Sequence, residues 1–186
     1  DEEVVETFNL SVQINTHTNH LVLVDPVPSE IIKPKFDWLT CFEPEDHLDD
    51  MVSRIESLNI IKKDSSIIGL SFKDESTTNR LRRRGFTNSR SLDGQKDIGI
   101  NDNLASIETL QELFTQKKAK NIKNKIGGAD LLIIRHVVEH AYDIDEFISA
   151  AKTLINNDGY ILWEIPDCYK SISTLDYTLF WEEHIH

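Results

Sequence analysis

Apolar positions along this chain follow two alternating patterns. Short continuous apolar runs have the length and composition of buried strands: SSIIGLS (Ser65 to Ser71), ADLLIIR (Ala129 to Arg135) and YILWEIP (Tyr160 to Pro166). HLVLVD (His20 to Asp25) reads as a further strand, and a weaker one is expected near Ser89 to Leu92. Between these runs the apolar residues recur at helical spacing. EPEDHLDDMVSRIESL puts Leu48, Met51, Val52, Ile55 and Leu58 on one face, with Pro44 in the first turn and acids crowding the N-terminal end, where the helix dipole favours them. ESTTNRLRRRGF reads as a helix closed by Gly85. NLASIETLQELFTQKKAKNIKNKIGG predicts one helix carrying Leu104, Ile107, Leu110, Phe114, Ile122 and Ile126 and stopped by Gly127 and Gly128. DIDEFISAAKTLINNDG predicts another, capped by Asp143, with Ile144, Phe147, Ile148, Ala151, Leu154 and Ile155 turned inward and Gly159 at its end.

Strand and helix alternate at βαβ spacing. That order implies an α/β fold of Rossmann-like type, a mostly parallel sheet with helices on both faces. Ligands of such sheets bind in the crevice outside the carboxyl ends of the strands. Residues 1–42 differ from the rest: DPVPSEIIKPK carries three prolines, which argue for an extended connector, so 1–42 is expected to be an arm or linker and 43–186 the sheet domain.

The net charge of −12 argues against nucleic acid or an anionic membrane as a partner and is otherwise a solubilising surface. At 39% hydrophobic, the chain can build a real core. The two cysteines, Cys41 and Cys168, lie far apart and form no CxxC pair, so a structural zinc site of the usual kind is not expected. With no bilayer-length apolar stretch and no signal-peptide pattern, the expectation is a cytoplasmic protein. The chain opens on Asp1 and stops after His186, and is expected to be a piece of a longer protein.

Three stretches carry candidate chemistry. In DLLIIRHVVEH, His136, Glu139 and His140 spell H-x-x-E-H, a zinc-protease motif when it sits within a helix. Here a strand precedes it and a turn follows, which contradicts that reading. Arg135 and His136 instead fall at the carboxyl end of a strand, either on a cofactor rim or simply ordering the loop through hydrogen bonds. In the second stretch the turn Ser71-Phe72-Lys73-Asp74-Glu75-Ser76 holds no glycine, so alone it is no nucleotide fingerprint. The arginines that follow, Arg80, Arg82, Arg83 and Arg84, spread around a helix as a solvated face. The third stretch, DYTLFWEEHIH, sets glutamates beside histidines, and a carboxylate can hold an imidazole in one tautomer as a general base.

Taken in order, ADLLIIRHVVEHAYDIDEF, GYILWEIPD and WEEHI resemble the class I S-adenosylmethionine-dependent methyltransferases, and more narrowly the C-methyltransferases of nucleotide-linked deoxysugars. The resemblance covers roughly residues 43–186. It implies that Ser71, Phe72, Lys73 and Asp74 hold the methionine part of S-adenosyl-L-methionine, that Asp93 is the nearest candidate to grip the ribose, and that Arg135 and His136 lie beside the cofactor. It further implies that His184 is a general base, Glu183 its acidic neighbour, and that Trp181 stands where the family usually has tyrosine. No metal is implied. The family loop reads approximately E-I-G-x-N-D-G; this chain has Gly69-Leu70-Ser71-Phe72-Lys73-Asp74-Glu75, without both loop glycines and with Gly69 in place of the leading glutamate. The Cys-rich N-terminal region and the C-terminal half of the family are missing, so the fold is expected to be incomplete at its C-terminus. The function so implied is methylation of a carbon in a nucleotide-linked sugar or similar small molecule. The alternative is a methyltransferase-like binding or scaffold domain that has lost its cofactor loop and does no catalysis.

Overall fold

A computed structural model of the chain describes residues 7–36, 44–176 and 183–186. Its centre is a four-stranded, all-parallel sheet of β3 (Ile67–Gly69), β4 (Ser89–Ser91), β5 (Ala129–Arg135) and β6 (Ile155–Glu164), in the order β4-β3-β5-β6. The α/β expectation therefore holds: the sheet is parallel throughout, and β5 is an inner strand paired on both sides.

Alternation along the strands explains the layers. Ile67, Leu131 and Ile133 point to one face, where Val52 and Ile55 of α2 (Leu48–Ser57) and Leu81 of α3 (Glu75–Arg83) cover them. Ile68, Leu132 and Ile134 point to the other face. There α4 (Ile107–Leu113), α5 (Gln116–Ile126) and α6 (Ile144–Leu154) supply Leu110, Ile122, Phe147 and Leu154. Each of the four central β5 residues, Leu131 to Ile134, is at most 1% exposed and contributes about 2 kcal/mol by burial. A residue run apolar on both faces is what a strand covered from both sides requires.

Three boundaries differ from the sequence expectation. Pro44 precedes α2 by several residues; the helix begins at Leu48, and Leu58 just past its end is largely exposed. The long helix expected before β5 is two, α4 and α5, broken at Phe114 and Thr115. Phe114 is fully buried and meets Phe147 edge-on at 5.5 Å, while the Thr115 hydroxyl accepts from the Lys118 amide and starts a new helix. Gly159 does not end α6, which stops at Leu154. Ile155 already pairs with Ala129, and Tyr160 with Leu131, so Asn156 to Gly159 bulge out of the β6 edge. A Cβ on Gly159 would lie 2.6 Å from the Ala129 carbonyl oxygen.

The N-terminal arm holds β1 (Val12–Asn15) and β2 (His20–Leu23), an antiparallel hairpin of which only β2 was expected, and the short α1 (Ser29–Ile32). A further helix, α7 (Cys168–Thr174), follows β6. Among the described residues no helix is long and apolar enough to cross a membrane.

Candidate functional site at the carboxyl edge of the sheet

Strand order reverses between β3 and β5: β4 lies on one side of β3, and β5 with β6 on the other. The carboxyl ends of β3 and β5 therefore flank the switch point of the sheet, where α/β folds form their ligand crevice. The residues that follow each strand end are set on one edge of the molecule.

At the end of β3, Ser71 and Asp74 form a reciprocal capping box at the start of a 3₁₀ turn, Phe72–Asp74, that leads into α3. Asp74 is fully buried. Its carboxylate accepts from the Ser71 amide at 2.8 Å and from the Arg135 amide at 3.0 Å, tying the β3 loop to the end of β5. Burial pushes Asp74 up to about 7, against the lowering effect of those hydrogen bonds and of the Arg135 charge. Gly69 is required here, because a Cβ on it would stand 2.6 Å from the Cβ of Asp74 and 3.0 Å from the Ser91 hydroxyl. Its place in the loop is thus explained by close packing. Phe72, by contrast, is 61% exposed at the rim.

Arg135 fills the floor of the crevice. It is 1% exposed, with Nε donating to Glu164 at 2.5 Å and Nη1 donating to the Lys73 carbonyl at 2.5 Å. The chain then turns sharply, with His136 in the left-handed region at φ +50°, a conformation unusual for a residue with a side chain and concentrated at functional sites. The His136 ring meets Glu164 at 3.1 Å and Glu139 at 3.3 Å, and His47 reaches the same Glu164 oxygen at 2.8 Å. Burial would raise the Glu164 carboxyl, but bonds from His136, Arg135 and His47 and the Arg135 charge outweigh it and hold the group at about 2. Glu164 was not among the expected site residues. The signal for it was its position as the last residue of a parallel strand.

Val138–His140 form a 3₁₀ turn, not the α-helix that a zinc-protease motif needs. The described C-terminal residues lie against this turn. Ile185 and His186 donate their amides to the Glu139 carbonyl at 2.8 and 3.0 Å, and the Ile185 carbonyl accepts from Leu23 of β2 at 2.8 Å. The hairpin thereby clamps residues 183–186 onto the loop after β5. His184 meets His140 edge-on with ring centroids 4.9 Å apart, and one donor atom each of Glu139, His140 and His184 lies within 4.8 Å of the others. Burial is the main cause that lowers His140 to about 4, so its ring is neutral at pH 7. Beside this group, a cavity of about 310 Å³ opens under the hairpin, walled by Val12, Leu21, Val138, Ile144 and Ile165 and bordered by Glu139 and His184.

Of the expected residues, Ser71, Phe72, Lys73, Asp74, Asp93, Arg135, His136, Glu183 and His184 all stand on this edge or against it. Trp181 lies outside the described residues. Asp93 follows β4 and faces solvent. Its carboxylate accepts from the Gln95 and Lys96 amides, and the first of the lowering causes on it is the Lys96 amide. His140 and Glu139 join the group without having been assigned a role; their motif was legible, but the contact with His184 spans more than forty residues of sequence. No protein-family model matches this sequence, and no curated protein matches it.

Proposed function

We propose that the chain is an S-adenosylmethionine-dependent methyltransferase domain acting on a carbon of a small molecule. The observation that carries this reading is convergence. Residues singled out in four separate stretches, after β3, after β4, after β5 and at 183–184, share the carboxyl edge of one parallel sheet, around its switch point.

The residues at hand suit such a cofactor at the rim of the crevice. Asp93 offers an exposed acceptor carboxylate at the tip of β4, suited to ribose hydroxyls, and Phe72 an exposed aromatic face. Lys73 and His136, both partly exposed, complete the rim, with Ser71 buried beneath it. Bound there, the sulfonium would supply an electrophilic methyl group. The protein's own task is to hold the acceptor and to move a proton. His184 would take the proton from a carbon beside a carbonyl, and Glu183, next to it in the chain, would orient its ring. The apolar walls of the cavity would exclude water and position the acceptor.

A second reading has its own support. Arg135 and Asp74 bury themselves at the switch point, and Gly69 is packed against Asp74, so the seat that loop glycines would leave for a cofactor is filled by side chains. This favours a binding or scaffold domain of the same architecture. Calorimetric titration of the protein with S-adenosylmethionine and S-adenosylhomocysteine separates the two. Micromolar binding is expected for the enzyme, with methyl transfer lost and cofactor binding kept in His184→Ala. A folded protein that gives no heat with either ligand belongs to the second reading.

A further inference from the structure

We infer that Glu139, His140 and His184 form a binding site for a divalent transition-metal ion of the zinc type. This inference does not depend on methyl transfer. It rests on three observations about the turn after β5. The donor set is two imidazoles and one carboxylate, which suits zinc, and among the described residues it is the group whose donor atoms all fall within 4.8 Å of one another. A tetrahedral ion with bonds of about 2.0–2.2 Å holds its ligands roughly 3.3–3.6 Å apart, so the three need to draw in by at most about 1.5 Å.

The second observation is the Glu139 side chain. Glu139 is 3% exposed; one carboxylate oxygen meets His136 at 3.3 Å, and the other is buried with no hydrogen-bond partner among the described residues. A buried carboxylate oxygen without a donor is costly, and a cation bound to it would remove the cost. The third observation is how the ligands are held. His140 is 7% exposed and its ring packs edge-on against that of His184, with centroids 4.9 Å apart, so the two imidazoles are held side by side. His136 holds Glu139 from behind, and the Glu139 carbonyl fixes residues 185 and 186, so the backbone that carries His184 is anchored to the backbone that carries the other two ligands.

With three protein ligands, the ion keeps a position open, the arrangement of zinc sites that act on a bound molecule. Glu139 and His184 also border the 310 Å³ apolar cavity, so the open position suits a carbonyl or carboxylate oxygen on an otherwise apolar molecule. A ring nitrogen bound to metal has no lone pair for a proton. Metal at this site and His184 as a proton acceptor therefore exclude one another, and zinc would inhibit a transfer that runs through that histidine.

The test is titration of the metal-free protein with Zn²⁺, and with Co²⁺ as a spectroscopic probe, in the absence of cofactor and acceptor. One ion per chain is expected, with the visible bands of tetrahedral Co²⁺. Removing a second-sphere partner commonly weakens metal affinity 10–100-fold, so His140→Ala, His184→Ala and Glu139→Gln should each weaken it by more than about a hundredfold. His17→Ala, at an exposed histidine on the hairpin turn, should bind as the parent does. Glu139→Gln keeps size and backbone contacts, so it reports on the site even where a histidine variant fails to fold. The inference is overturned if the parent binds no Zn²⁺, or if folded Glu139→Gln titrates like the parent. Either result would leave the cofactor titration standing on its own.

Discussion

Gly69 shows how one residue sets the character of the crevice. Any side chain there collides with Asp74, so Gly69→Ala must push the β3 loop outward. A loss of about 1–3 kcal/mol is expected in denaturant unfolding, as for other overpacked sites. Asp74 adds a pH dependence. Its carboxyl stands near 7 in the folded protein against 3.8 when free, so between those values the folded state binds the proton that the unfolded state has lost. This contribution is present below about pH 4 and disappears as pH rises through 7. Asp74→Asn should therefore become progressively less destabilised relative to the parent between pH 4 and pH 7, measured as the difference in urea midpoints. A constant difference would show that Asp74 is ionised in the fold. Glu164 has the opposite sign. Its carboxyl is held near 2 against 4.5, and its contribution is lost as pH falls through that lower window, so the two effects meet only between 3.8 and 4.5.

At the scale of elements, the hairpin of β1 and β2 has a specific job. Its strand β2 donates from Leu23 to Ile185, and Ile185 in turn is 3% exposed beneath it. The segment that carries His184 is thus held by one strand on one side and the turn after β5 on the other. Ile185→Asp places a charge in that buried position and should release the segment. Hydrogen exchange is the measurement: the Ile185 and Leu23 amides are protected in the parent and should exchange rapidly in the variant, while the β5 amides stay protected. The break between α4 and α5 is a second case in which contacts override pattern. Helical spacing ran unbroken from Leu104 to Ile126, but burying Phe114 against Phe147 bends the chain, and Thr115 restarts it. Propensity is local and weak, and a buried aromatic contact outweighs it.

For the whole molecule, the sheet order decides what the site is. A parallel sheet sends every strand's carboxyl end to one edge, and the reversal between β3 and β5 opens the crevice there. This made Arg135 and His136 legible as edge residues, whereas Ser71 to Asp74 and Asp93 joined them only through the family resemblance. The same argument, carried one strand further, would have found Glu164. It could not have found that Arg135 turns inward to bond Glu164 and Lys73, because the direction of a long side chain depends on partners far along the chain.

Much of this protein was determined by its sequence alone. Apolar runs bounded by polar residues specify the strands, 3.6-residue spacing specifies the helices, and their alternation specifies a parallel sheet covered on both faces. These are local or near-local properties, governed by backbone geometry and by which face each side chain must bury. Tertiary structure alone decided the rest: that the crevice floor is filled by Asp74 and Arg135, that α4 and α5 part at Phe114, and that His184 comes to rest beside His140 and Glu139. Each depends on contacts between segments tens of residues apart, whose distances are set by packing of the whole chain and have no counterpart in residue spacing.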